Sequence, residues 1–120
     1  MNYTLKADHA HETLIVIYRG ELSYSNRLDA VEEGGKIIQE TGFDSILVDL
    51  REATLTMSAT EQFSFGSSLS SNEQINQCRT AFLINRNQND NDFIETTALN
   101  RGYKFNTFTS ELMAREWLGI

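Results

Sequence analysis

The chain predicts an α/β fold built on a mostly parallel sheet, and three observations carry that prediction. Short runs of β-favouring apolar residues recur over 14–18, 46–50 and 81–84. Stretches of helical period lie between them, over 28–41 and from Ser58 onward. The last third, 89–120, then sets helix, strand and helix end to end with almost no spare loop. Apolar runs covered on both faces and separated by helices are the pattern of parallel strands joined by crossovers.

Each element has its own signal. The weak alternation over 3–6 predicts an edge strand, and the polar stretch 7–12 a turn. Leu14-Ile15-Val16-Ile17-Tyr18 predicts a buried strand that Gly20 ends or bends. Leu28, Val31, Gly35 and Ile38 then recur at helical spacing, opposite Glu32, Glu33, Lys36 and Gln39, and Thr41-Gly42 closes that helix. Ile46-Leu47-Val48 with Leu50 predicts the next strand. Ser58 and Glu61 match a capping box, so a helix should start there, with Phe63, Gly66 and Leu69 inward and a loop over 67–72. Residues 81–84 predict a strand and 87–92 a polar turn. Asp92 and Glu95 suit the positive end of a helix that buries Phe93, Ile94, Thr97 and Ala98 and ends at Arg101-Gly102. Tyr103, Phe105 and Phe108 mark the last strand, and Met113, Trp117 and Ile120 the buried side of the last helix. The expected fold is a single α/β domain over 1–120. Its four- to five-stranded, mostly parallel sheet carries an antiparallel N-terminal hairpin and about four helices.

Composition narrows the function. The chain has 120 residues, 40% hydrophobic and 22% charged, the balance of a globular domain. A net charge of −7 and a pI near 4.7 oppose binding to phosphate backbones and anionic membranes, which require clustered Lys and Arg. The longest apolar run is too short for membrane insertion, and 1–6 lacks the apolar stretch of a signal peptide. A lone cysteine, Cys78, fits a reducing cytoplasm.

The strand 45–50 with its loop and helix, and the tail Asn100-Arg-Gly-Tyr-Lys-Phe-Asn-Thr-Phe108 leading to Ala114-Arg-Glu-Trp117-Leu118, carry a resemblance. The chain resembles the STAS superfamily, in particular the SpoIIAA-like branch of small bacterial proteins. The resemblance implies the fold set out above and a regulatory module that binds another protein. In the anti-anti-sigma members a serine at the start of this helix accepts phosphate, within Asp-Ser-Ser-Gly. Here Thr56-Met57-Ser58-Ala59 keeps only the serine at the helix start.

The site expectations follow. Ser58 is the candidate phosphoacceptor, set against a plain role as helix cap. Residues two apart on a helix point away from each other, so with Phe63 inward Phe65 is either exposed or covered by the stretch 67–72. Leu55, Met57, Glu61 and Phe65 are the candidate partner surface. Open α/β sheets bind ligands at the carboxyl ends of their strands. That edge should collect Tyr24, Asp49, Arg51, Asn85, Arg86 and Thr107, a candidate rim for an anion or apolar metabolite. No catalytic residue, metal site or cofactor motif stands out: His9 and His11 share one turn, and no phosphate-binding glycine pattern exists. The expected function is a non-enzymatic cytoplasmic interaction module with a protein partner, and the alternative is a small-ligand domain using the rim. A homodimer is a further expectation where 3–6 leaves an apolar sheet edge uncovered.

Overall fold

The structure, a computed structural model, describes residues 2–120. The chain runs β1 (Tyr3–Asp8), β2 (Thr13–Leu22), α1 (Tyr24–Thr41), β3 (Ser45–Leu55), α2 (Ala59–Ser71), α3 (Glu73–Asn76), β4 (Arg79–Leu83), α4 (Asp92–Asn100), β5 (Phe105–Phe108) and α5 (Glu111–Leu118). One five-stranded sheet has the order β1-β2-β3-β4-β5. β1 and β2 form an antiparallel hairpin, and every other pairing is parallel. This is the expected architecture, with the short helix α3 added.

Alternation along the strands sorts two cores. Ile46, Val48 and Leu50 of β3 face the larger one, with Ala30 and Ile38 of α1, Phe65 and Leu69 of α2 and Ile94 of α4. Leu47 faces the smaller one with Ala81, Leu83 and, from α5, Ala114 and Leu118. Helices α1 to α4 thus cover one face of the sheet and α5 part of the other.

Several expectations need correction. Gly20 does not end β2. It takes φ +72° beside a register shift between Ile17 and Arg19, and the strand continues to Leu22. Ile17 pairs with Asp49 and Arg19 with Glu52, so the extra residue lies in β3, while β2 continues past Gly20, whose left-handed conformation a glycine tolerates. β3 follows its partner and extends to Leu55, past the expected end at Leu50. The serine run does not fray: α2 continues to Ser71, with Ser68 Oγ donating to the Phe65 carbonyl at 2.8 Å and Ser70 Oγ to Ser67 at 2.9 Å. Met113 and Phe93 are exposed, because the buried sides of their helices carry Ala114 and Leu118, and Ile94, Thr97 and Ala98, respectively.

The correction with most bearing on function is in α2. Phe65 is fully buried and Phe63 is 48% exposed, so Phe65 and not the expected Phe63 faces inward. The cause is the crossing of α2 over α4 at Gly66. A Cβ there would lie 2.8 Å from Thr97 Cβ and 2.9 Å from the Ile94 carbonyl oxygen, so the helices meet backbone to backbone. That close approach fixes the rotation of α2 and turns Phe65 into the core.

Candidate functional site

The strand-end residues divide between the two faces of the sheet. Asp49 and Arg51 form a fork: Arg51 Nε donates to Asp49 Oδ1 at 3.0 Å and Nη2 to Oδ2 at 2.9 Å. Arg51 Nη2 also reaches Glu111 Oε1 at 3.3 Å, and Glu111 Oε2 pairs with Arg115 Nε at 3.1 Å. Asn85 Nδ2 donates to the Arg51 carbonyl at 2.6 Å. Arg86 is exposed in the following loop. Thr107 lies on the other face, donating to Glu95 Oε1 at 2.6 Å, and Tyr24 is the first residue of α1, packed against the larger core. The structure therefore gathers Asp49, Arg51 and Asn85 but not Tyr24 or Thr107, and the Arg51 charge is already shared between two carboxylates.

Burial alone would raise the pKa of Asp49, but hydrogen bonds from the Arg51 guanidinium and backbone N–H hold it below the usual carboxylate range. A depressed folded-state pKa contributes stability above the unfolded value and loses it as pH falls through the folded value. Arg51 is more than a third exposed, so solvent screening keeps the contribution within about 1 kcal/mol. Asp49→Asn is expected to cost that much at neutral pH and nothing once the carboxylate would be protonated. Urea unfolding at neutral and acid pH checks this, and a gap that persists in acid would attribute the loss to packing.

A buried polar network joins α1, α4 and β5. Arg27 Nη1 donates to Asn91 Oδ1 at 2.7 Å, Asn91 Nδ2 donates to Glu95 Oε2 at 2.9 Å, and Glu95 takes the Thr107 hydroxyl. The Arg27 guanidinium lies between two rings, its Cζ 4.4 Å from the centroid of Phe65 and 5.2 Å from that of Tyr18. Asn91 precedes α4 yet makes no side-chain cap, because its amide is committed to this network. Asp92 and Glu95 lie in the first turn of α4, as expected. Sequence reasoning missed Arg27. Its signal was present, since Arg27, Ala30, Gly34 and Ile38 form one helical stripe and all four are buried.

Ser58 N-caps α2: its Oγ accepts from Glu61 N–H at 3.1 Å, and Glu61 Oε1 accepts from Ser58 N–H at 2.9 Å. Of the expected partner surface, Ser58's neighbours Leu55 and Glu61 are half-buried, while Met57 and Phe65 are buried and unavailable. The apolar side chains that do face solvent lie elsewhere on the same layer. Phe63 of α2, with Phe93 (44% exposed) and Leu99 (61% exposed) of α4, stands out from the surface. Phe63, Phe93, Thr96, Thr97, Asn100 and Arg101 line a groove of about 360 Å³. The Arg101 guanidinium sits 5.6 Å from the Phe63 ring centroid.

The remaining candidates are quiet. His11 Nδ1 lies 2.9 Å from Asp8 Oδ2, and His9 packs edge-on to Phe43. Among the described residues no group of three or more His, Cys, Asp or Glu is placed to hold a metal. Burial pushes the Cys78 thiol up to about 11, which leaves little thiolate. No helix is long and apolar enough to cross a membrane among the described residues.

The solved structures most informative about this architecture match it nearly end to end. The unphosphorylated form of the anti-sigma factor antagonist SpoIIAA superposes with a TM-score of 0.61 at 17% identity, over 98% of this chain and 99% of that one. The fold is that of SpoIIAA. The phosphorylated form of the Bacillus cell fate determinant SpoIIAA gives a TM-score of 0.59 at 15% identity, over 96% and 98% of the two chains. An uncharacterised DUF3478 protein from Shewanella loihica PV-4, itself of SpoIIAA-like fold, gives 0.61 at 14% identity over 97% and 91%. No protein-family model and no curated protein matches the chain. At these identities the likeness to SpoIIAA is one of fold.

Proposed function

We propose that this chain is a cytoplasmic interaction module that works by binding a protein partner through the outer face of α2 and α4. One observation carries the reading: Phe63 and Phe93 are exposed and line a groove beside Arg101, with Leu99 exposed next to it on α4. Aromatic and arginine side chains are enriched at the energetic centres of interfaces. The SpoIIAA fold supports the same reading, since SpoIIAA is an antagonist of an anti-sigma factor. The net charge of −7 steers such a module toward a partner surface of positive charge. Ser58 enters as the candidate phosphoacceptor. It is exposed at the N-terminus of α2, where backbone N–H groups and the helix dipole favour a dianion, although phosphate would displace the Glu61 return bond.

The test is affinity capture from the source cells with wild type and with the double variant Phe63→Ser, Phe93→Ser. Two central aromatic contacts are each worth about 2 kcal/mol, so the double variant should lose about a thousandfold in affinity while remaining folded by circular dichroism. A double variant that is folded and retains the same partner would overturn the surface assignment.

A further inference from the structure

Arg27 has 1% of its surface exposed. Its Nη1 is taken by Asn91, and its Nε is buried with no hydrogen-bond partner. Arg27 takes part in no ion pair among the described residues, and the carboxylate of Glu95 is reached only through the neutral amide of Asn91. A guanidinium stays protonated in any protein setting, so this is a permanent buried cation with an unused donor. Buried charges and unsatisfied donors both cost free energy, and native proteins rarely leave them uncompensated.

The cation borders an interior cavity of about 40 Å³ between the sheet and α1. Its polar lining residues are Arg27, Tyr18, Thr80 and Tyr103, and the remainder of the wall is apolar. The Thr80 and Tyr103 hydroxyls bond to each other, a bond that uses one proton of the two and leaves the other to donate. Arg27 is donor-only, two of the three hydroxyl protons remain free to donate, and no lining side chain is acceptor-only. Such a wall suits an acceptor without protons better than it suits water, which has two of its own to place. The size limits the occupant. A water's share of liquid volume is about 30 Å³, and a cavity that binds benzene is about 150 Å³.

We propose that this cavity is a binding site for one small monovalent anion, of halide or formate size, held by Arg27 Nε–H with support from the lining hydroxyls. The site is separate from the α2–α4 surface and from the strand-end rim. It answers a charge that the chain itself leaves without a direct partner. Its apolar walls select weakly hydrated monovalent anions over sulfate or phosphate, whose desolvation is far more costly.

Crystals of the wild-type protein grown with bromide as the small anion, measured at the bromine absorption edge, test the site directly. One anomalous peak in the cavity, within hydrogen-bonding reach of Arg27 Nε, is the expected result. An internal water only, or an empty cavity, overturns the proposal. A second measurement follows thermal unfolding as bromide replaces gluconate at constant ionic strength. At tenfold above its dissociation constant, bromide should raise the apparent folding constant of wild type about elevenfold by mass action. Arg27→Met should show no such response. An equal response in wild type and Arg27→Met, or none in wild type, counts against the site. Where Arg27→Met does not fold, the bromide position in wild type decides.

Discussion

Phe65→Ala is expected to destabilise the fold by about 3–5 kcal/mol, the range for deleting a fully buried aromatic side chain. Phe65 fills the larger core beneath α2 and stacks against Arg27, so its removal opens a void and strips one face from a buried cation. Phe63→Ala, two residues earlier on the same helix, should stay within about 0.5 kcal/mol, as surface substitutions usually do. Urea unfolding of both variants separates them. The pair also separates stability from function: Phe63→Ala should weaken partner capture in a protein as stable as wild type. Equal losses of stability in the two variants would mean that α2 is rotated from the orientation described.

Arg27→Ala should likewise cost about 2–5 kcal/mol, the range for cutting a long buried side chain back to alanine and leaving a cavity. Three effects act together. The Asn91 amide oxygen loses its donor, Glu95 loses the cation it faces through Asn91, and the interior cavity grows into the space between Tyr18 and Phe65. Asn91→Ala should cost at least as much, about 3–5 kcal/mol, since it leaves the buried guanidinium in place without its Asn91 acceptor. The double variant should cost less than the sum, because both substitutions break the same bond. A cost for Arg27→Ala below about 1 kcal/mol would show that the guanidinium is not held in the core.

What could be read from the sequence was what local rules encode. Strand runs, the Ser58–Glu61 capping box, the closure at Gly42 and the order of elements depend on neighbours along the chain, and the structure has them where expected. The rotation of α2 was not legible. Gly66 and Leu69 are compatible at helical spacing with either Phe63 or Phe65 on the buried side, and only the crossing with α4 at Thr97 chooses between them. The same limit hid the polar network. Arg27 and Asn91 are 64 positions apart, and each has an ordinary local reading, as a helix surface cation and a helix cap. The strand-end rim was misjudged for a different reason. A one-residue alternation along a strand decides which face a side chain joins, so Asp49 and Thr107 end on opposite sides of the sheet. Of the candidate partner surface, Met57 and Phe65 face the core, and the exposed phenylalanine of α2 is Phe63.

The most direct measurement of the central claim is site-specific photo-crosslinking in the source cells, with a benzophenone amino acid replacing Phe63, Leu99 or, as a control on the opposite layer, Leu112. The interaction-module account predicts that positions 63 and 99 crosslink to one and the same protein and that position 112 does not. Crosslinks confined to position 112, or none from positions 63 and 99 in a folded protein, would contradict it.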